Sequence, residues 1–397
     1  MIKPKRICIL GGGFGGLYTA LRLNELPWDE SQNPEVILID QSDRFLFSPL
    51  LYELITGELQ SWEIAPPFEE LLADTQIRFI QDRITEINLS QQQIQLEKTE
   101  ATNYDYLVIA LGGKTPLNDV SETTTNLMTF RTLKDAYHLL ERLRILEETN
   151  PEKIRIAIVG GGYSGVELAC KLGDRLGNKG RLRIIEKGDQ ILKNATEFNR
   201  ETAQKALLAR KIWVDLETEV EAITTHSISL LYKGQTDNIP VDLVLWTVGN
   251  KVSDLIKNLP LSHNSQGQLL TNHYLQSKDQ NQIFALGDNT ECQEANNAIL
   301  PTTAQVAIQQ ADYCAWNLWA TINNKPLLPF RYQPLGEMLT LGSDQATLSG
   351  LGLNLEGTFA HLARRLVYLY RLPTFKHQIA VGLNWLTKPL SDLLKTN

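Results

Sequence analysis

One pattern occurs twice in this chain and restricts the fold more than anything else in it. Arg6-Ile7-Cys8-Ile9-Leu10 is an apolar run of strand length that stops at Gly11-Gly12-Gly13-Phe14-Gly15-Gly16, and a helical pattern follows at once. Gly11, Gly13 and Gly16 hold the G-x-G-x-x-G register. The first permits a tight strand-to-helix turn, the second close approach of backbone to a pyrophosphate, the third close helix–strand packing. The helix N-terminus then presents unpaired N–H groups and a partial positive charge. Ile154 to Glu167 repeats the arrangement, with Gly160, Gly162 and Gly165 in the same register.

Two further landmarks recur. Val36 to Asp40 is a buried strand pattern ending in an acid where an adenosine ribose needs a hydrogen-bond acceptor; a plain helix cap is the competing reading of Asp40. Leu182 to Glu186 is its counterpart. Tyr104 to Gly113 and Val241 to Gly249 are continuous apolar strands, with Asp105 and Asp242 each seven positions before a glycine, Gly112 or Gly249. In between, the alternation of Ile84 to Leu89 and Gln93 to Leu96 predicts an antiparallel hairpin. The first helix is expected over Leu17 to Leu26, ended by Pro27. The fold class is therefore α/β, with two Rossmann-like dinucleotide-binding domains. The expected boundaries are 1–115 with 275–350 for the first, 116–274 for the second, and 351–397 for a C-terminal helical region.

Composition narrows the chemistry. The chain has 397 residues and a net charge of −8, which excludes nucleic acid as the main partner because phosphate binding needs a basic footprint. Cys8, Cys170, Cys292 and Cys314 form no C-x-x-C pair. A disulfide framework, a zinc site and a paired-cysteine redox centre are all unexpected, and no metal is expected. Met1-Ile2-Lys3-Pro4 leads directly into the first strand, which leaves no room for a signal peptide and implies a cytoplasmic location.

Gln282 to Asn289 is another short buried strand, closing on Gly287-Asp288, and Leu300 to Ala311 then begins a helix. Gln305 and Gln309 are four apart, on one face near its start. That dipole end favours a reduced, anionic ring; a solvated face is the bland alternative.

The two glycine fingerprints, the Tyr104–Gly112 strand and Ala285-Leu286-Gly287-Asp288 resemble the FAD/NAD-linked two-dinucleotide-domain flavoproteins. Phe45 to Gly57, Trp246-Thr247-Val248-Gly249-Asn250 and Ala304 to Gln310 resemble type II NAD(P)H:quinone oxidoreductases in particular. The compact length is similar to their cyanobacterial and chloroplast branch, the demethylphylloquinone (demethylnaphthoquinone) reductases of phylloquinone biosynthesis. The resemblance implies FAD in the first copy: Gly11, Gly13 and Gly16 at the pyrophosphate, Asp40 at the ribose, Asp288 at the ribitol, Gly112 beside it. It implies Ala304 by the flavin ring, Gln305 and Gln309 towards a membrane quinone, and NAD(P)H framed by Gly160, Gly162, Gly165 and Glu167. Lys376 resembles a basic residue near the flavin, and the family implies a homodimer. Glu167 is the candidate proton donor by position.

Glu186 divides the donors: an acid there accepts from a free 2′-hydroxyl and repels a 2′-phosphate, favouring NADH. The branch implies NADPH, with Arg183 and Lys187 receiving the phosphate if Glu186 turns away.

From Thr358 onward the chain holds six Lys or Arg and one acid, so a segment at +5 follows a body at −13. Phe359, Leu362, Ala363, Leu366, Val367 and Tyr370 form a helical stripe; Ile379, Leu383 and Leu386 continue it up to an interruption at Pro389. A basic amphipathic tail predicts a helix lying on an anionic lipid surface, and hence a peripheral membrane protein on the cytoplasmic face of a thylakoid or plasma membrane. A helical pair packed on the body is the alternative. A soluble flavoprotein reductase for a protein partner leaves the tail unexplained, and a redox-sensing regulator has no need of two intact fingerprints.

Overall fold

The computed structural model describes residues 4–29, 33–117, 126–150, 152–291 and 299–395, with side chains up to residue 387. Cys292 and residues 118–125, beside the expected domain boundary at 115/116, lie outside the described residues, as does the side chain of Pro389. The chain divides into two compact units.

The first unit comprises Met1–Leu46, Ala65–Lys114 and Asn250–Gln333. Its sheet runs in the order Ile283–Ala285, Tyr106–Ile109, Arg6–Leu10, Glu35–Asp40, Arg78–Gln81, every neighbouring pair parallel. After Arg6 the central strand is apolar because both faces are covered; Ile7, Cys8, Ile9 and Leu10 are fully buried. The first helix is Phe14–Glu25 with Gly13 as its N-cap, so it starts three residues before the expected Leu17. The glycine turn itself supplies the first helical residues. Helix Ala304–Ile322 lies beside it, joined by an ion pair from Arg22 to Asp312 at 2.7 Å. Val252, Ile256, Leu259, Leu261 and Leu269 enter the same apolar core as Cys8, Leu10 and Ile37. That packing puts residues 250–274, expected with the second domain, into the first unit.

The second unit comprises Phe47–Ile64, Thr115–Gly249 and Pro334–Asn397. Its sheet has the order Trp213–Asp215, Gly180–Ile185, Ile154–Val159, Leu243–Trp246, Leu127–Thr129, again all parallel. In both units the glycine-turn strand is central, with the acid-ended strand on one side and the closing strand on the other. Each unit also carries a three-stranded antiparallel ribbon, Ile84–Asn88 with Gln93–Leu96 and Thr102–Asn103 in one, Thr218–Ile223 with Ser227–Tyr232 and Gln235–Pro240 in the other. The recurring aspartates have matched roles: Asp105 accepts from the Arg6 N–H at 2.8 Å and Asp242 from the Arg155 N–H at 2.7 Å. Each pins the start of its central strand.

The C-terminal part of this unit is an antiparallel sheet, Glu337–Thr340, Ala346–Gly350 and Leu353–Glu356, followed by helices Gly357–Arg371 and Phe375–Lys395. The second helix continues through Pro389, where an interruption was expected. A proline forgoes one N–H bond but does not always end a helix. Helix Gly357–Arg371 is amphipathic in the reverse of the usual sense. Its residues Ala360, His361 and Arg364 are buried, whereas Phe359 is 82%, Leu362 55%, Leu366 57% and Tyr370 76% exposed. Arg364 donates to the fully buried Glu53 and to the Pro49 carbonyl at 2.7 Å, and its guanidinium lies 4.7 Å from the Tyr368 ring centroid. Lys171 pairs with Glu58. These long-range pairs explain why 47–64 and the tail share a unit. Helix Phe375–Lys395 is fixed through Glu63, which accepts from Trp385 Nε1 at 2.7 Å and Asn384 Nδ2 at 3.1 Å.

Candidate functional site: two dinucleotide cradles

The first cradle is built by steric necessity. Gly11 has φ +96°, and a Cβ on Gly16 would lie 1.8 Å from the Gly11 carbonyl oxygen. Only glycine lets the helix pass this close to the strand end. A Cβ on Gly13 would meet nothing within 4 Å, so the helix N-terminus opens onto free space. The second cradle repeats this: Gly160 has φ +109°, a Cβ on Gly165 would sit 1.9 Å from the Gly160 oxygen, and one on Gly162 meets nothing.

The acids are held alike. Asp40 accepts from the Gly12 N–H at 2.6 Å and the Ser42 N–H at 2.7 Å, one on each oxygen. Glu186 accepts from Gly161 and Gly188, both at 2.6 Å. Both carboxylates are thus fixed at the lip of an open, amide-lined turn, with lone pairs remaining for ribose hydroxyls. Burial pushes the Asp40 carboxyl above its usual range against those N–H bonds, a desolvation that further hydroxyl donors would offset. The residues present therefore fit an adenine dinucleotide in each unit.

In the first unit, Gly287-Asp288 is positioned from several directions. Gln310 accepts from the Gly287 N–H at 2.8 Å, Asn250 Nδ2 donates to Asp288 at 2.8 Å, and Asn289 bridges the Gly112 N–H and the Ile109 carbonyl. Gln310, Asn250 and Asn289 were not singled out from sequence, although all three lie inside stretches that were. Helix Ala304–Ile322 begins one residue after its cap, Thr303, whose hydroxyl accepts from the Val306 N–H; Pro301 stands outside it. Gln309 makes a closed pair with the Gln333 peptide, Nε2 to O and N to Oε1, both at 2.9 Å. Gln305 accepts from the Tyr332 hydroxyl. Both glutamines thus anchor the 332–333 segment to the start of the helix.

In the second unit, Glu167 is 7% exposed and accepts from the Thr340 N–H at 2.9 Å. Burial raises its pKa to about 7. The folded state therefore holds a proton that the unfolded chain releases near pH 4.5, so stability falls as pH rises from about 4.5 to 7. Glu167→Gln is expected to remove this decline, on the order of 3 kcal/mol; melting profiles at pH 5 and 8 measure it. Lys376 is exposed at the second position of helix Phe375–Lys395. The described cysteines are all buried. Burial pushes Cys8 and Cys170 up to about 12 and raises Cys314 as well, so none is poised as a thiolate.

Comparison with known proteins gives concordant results. Residues 5–311 match the family described as pyridine nucleotide-disulphide oxidoreductase. The chain is 60% identical to demethylphylloquinone reductase NdbB of Synechocystis sp., over 98% of both chains. It is 43% identical to the alternative NAD(P)H-ubiquinone oxidoreductase C1, chloroplastic/mitochondrial, of Arabidopsis thaliana, covering 100% of this chain and 83% of that one. Among solved structures, NDH2 of Plasmodium falciparum in complex with NADH superposes with a TM-score of 0.85 at 20% identity, over 98% of each chain. The sulfide:quinone oxidoreductase of Aquifex aeolicus gives 0.80 at 21%, over 98% of this chain and 96% of that one. At these identities the structural likeness concerns the fold alone.

Proposed function

This chain belongs to the pyridine nucleotide-disulphide oxidoreductase family, and from that membership we propose that it is a NAD(P)H:quinone oxidoreductase of type II. FAD occupies the first cradle and the reduced nicotinamide nucleotide the second. The acceptor is a membrane naphthoquinone of the demethylphylloquinone class, which places the enzyme in phylloquinone biosynthesis. The observation that carries the reading is the duplicated cradle with matched acids. The high identity to a demethylphylloquinone reductase, extending through the C-terminal helices, selects the acceptor. A soluble reductase for a protein partner is less well supported, because it leaves the outward apolar face of helix Gly357–Arg371 unused.

FAD, when bound, accepts a hydride from the nicotinamide and returns two electrons to the quinone. The protein's part is to bind, orient and supply protons. The Gly11–Gly16 turn and its helix N-terminus hold the pyrophosphate, Asp40 the ribose and Asp288 the ribitol, with Gly112 alongside. Gly160, Gly162, Gly165 and Glu186 do the same for the nicotinamide nucleotide. Ala304 leaves room for a ring at the start of its helix, and Gln305 and Gln309 shape the quinone's approach by holding residues 332–333. Glu167, whose pKa burial raises to about 7, is about half protonated at neutral pH, and Lys376 is a cation carried over from the family resemblance alone.

Glu186 also favours one donor. It is not turned away, and the two cations nearest to hand for a 2′-phosphate are engaged: Arg183 with Asp215 at 3.2 Å, Lys187 with Glu219 at 3.1 Å. NADH is the expected donor. Glu186→Gln is expected to narrow the NADH:NADPH ratio of kcat/KM by about tenfold, ~1.4 kcal/mol, read by steady-state kinetics with both nucleotides.

The tail supports peripheral membrane binding. Among the described residues no helix is long and apolar enough to cross a membrane, and the exposed stripe of helix Gly357–Arg371 continues in Phe375, Ile379, Leu383 and Leu386. A homodimer through the C-terminal region would compete for the same surface. The test is oxidation of NADH and NADPH by the flavin-loaded protein with a panel of naphthoquinones and benzoquinones, run beside flotation on anionic liposomes. Absence of turnover with every quinone of the panel would sink the central reading, and failure to float would remove the membrane claim alone.

A further inference from the structure

The polar face of helix Gly357–Arg371 contains a histidine for which neither cradle has a use. His361 is 5% exposed, and neither ring nitrogen has a hydrogen-bond partner among the described residues. A buried imidazole with both nitrogens unmet is costly and rare. Its Nε2 is 3.7 Å from Asp344 Oδ1. Ligand atoms of Glu58, Asp344 and His361 all lie within 4.8 Å of one another. We propose that these three residues form a site for a divalent cation of the zinc class.

The donor set selects the ion. One imidazole nitrogen and two carboxylate oxygens suit Zn2+, with water completing a tetrahedron. Three protein donors are few for calcium, and an imidazole is a poor ligand for magnesium. Burial and the neighbouring Arg365 lower the His361 pKa, so its lone pair is available at neutral pH.

Two cations oppose the ion. Lys171 pairs with Glu58 from a fully buried position, and Arg365 lies 3.7 Å from Glu58 Oε1. Arg365 also lies over the Trp385 ring at 5.4 Å, and its side chain is 21% exposed, so it can leave. The metal competes with Arg365 for Glu58, which predicts a site of moderate affinity. Once bound, the ion ties three separate segments together: the stretch after Ser48–Leu54, the turn between Glu337–Thr340 and Ala346–Gly350, and helix Gly357–Arg371. It uses no cradle residue.

The test is isothermal titration of chelator-treated, flavin-loaded full-length protein with Zn2+. One equivalent is expected to bind. His361→Gln and Asp344→Asn should each weaken binding by about tenfold or more, and Arg365→Gln should tighten it several-fold. Asp344 is exposed at a φ of +55°, a conformation asparagine shares. Loss of binding in that variant therefore does not report misfolding, and metal-free melting curves check the His361 variant. The site is overturned by no saturable one-equivalent binding, or by wild-type affinity in either ligand variant. Arg365→Gln binding that is unchanged or weaker overturns the competition.

Discussion

Gly16→Ala is expected to yield a protein that purifies with less than about a tenth of the wild-type flavin, whereas Gly165→Ala stays yellow but is barely reduced by NADH. The added methyl would lie 1.8 Å from Gly11 O in one cradle and 1.9 Å from Gly160 O in the other, where real Cβ atoms essentially never come under 3.0 Å. Helix and strand end must separate by more than 1 Å. The N-terminal amides that face the pyrophosphate move with the helix, and a displacement of that size costs about 100-fold where positioning is the contribution. The 280-to-450 nm absorbance ratio reads the first variant. Stopped-flow reduction reads the second, with an expected loss of at least about 100-fold in the second-order rate constant. The contrast tests the assignment of cofactors to cradles: if Gly165→Ala lost the flavin and Gly16→Ala kept it, the two would be exchanged.

Arg364→Met is expected to be the most destabilising single change in the second unit. It removes the guanidinium from Glu53, and both side chains are fully buried. Burial alone would raise the Glu53 carboxyl, but Arg364 and Lys171 together hold it below its ordinary value. A carboxylate depressed in this way contributes stability that is present above its unfolded pKa and lost as pH falls through the folded one. Without Arg364 the balance reverses, and the variant should lose stability as pH rises instead. Leaving one partner of a buried pair behind typically costs about 3–5 kcal/mol, which corresponds to a fall in melting temperature on the order of 10 °C. The double variant Glu53→Gln with Arg364→Met should recover most of this, and the coupling between the two changes measures the pair. Equal melting temperatures for Arg364→Met and wild type would show the pair to be energetically idle.

The parts of the molecule that were legible in the sequence are those whose cause is local. A turn that must be glycine, an acid placed by strand length and an apolar run of strand length all leave their mark within about ten residues, and Gly11–Gly16, Asp40, Glu186 and both closing strands lie where they were expected. The stripe from Phe359 to Tyr370 was equally visible, but not the direction it faces. Only the partners of Arg364, the Glu53 carboxylate and the Pro49 carbonyl, decide that, and Glu53 lies 311 positions from Arg364. The same distance hid the grouping of residues 47–64 and 334–397 with the second unit. The Gln309–Gln333 clamp was missed for another reason: spacing places a side chain on a face but does not say which loop returns to meet it. Cys292 and residues 118–125 are outside the described residues, so expectations there stand as they were.

The strand order of the first unit has a consequence for how the chain is made. Tyr106–Ile109 pairs on one side with Arg6–Leu10, which is synthesised before it, and on the other with Ile283–Ala285, which follows about 170 residues later. At ribosomal rates of about 5–20 residues per second, that edge waits on the order of 10–35 s for its neighbour. A fully apolar strand with an open row of N–H and C=O groups is a template for pairing with another chain. The nascent protein is therefore most vulnerable to aggregation while its second nucleotide cradle is being translated. Co-expressed chaperones should raise the yield of soluble protein by shielding that interval.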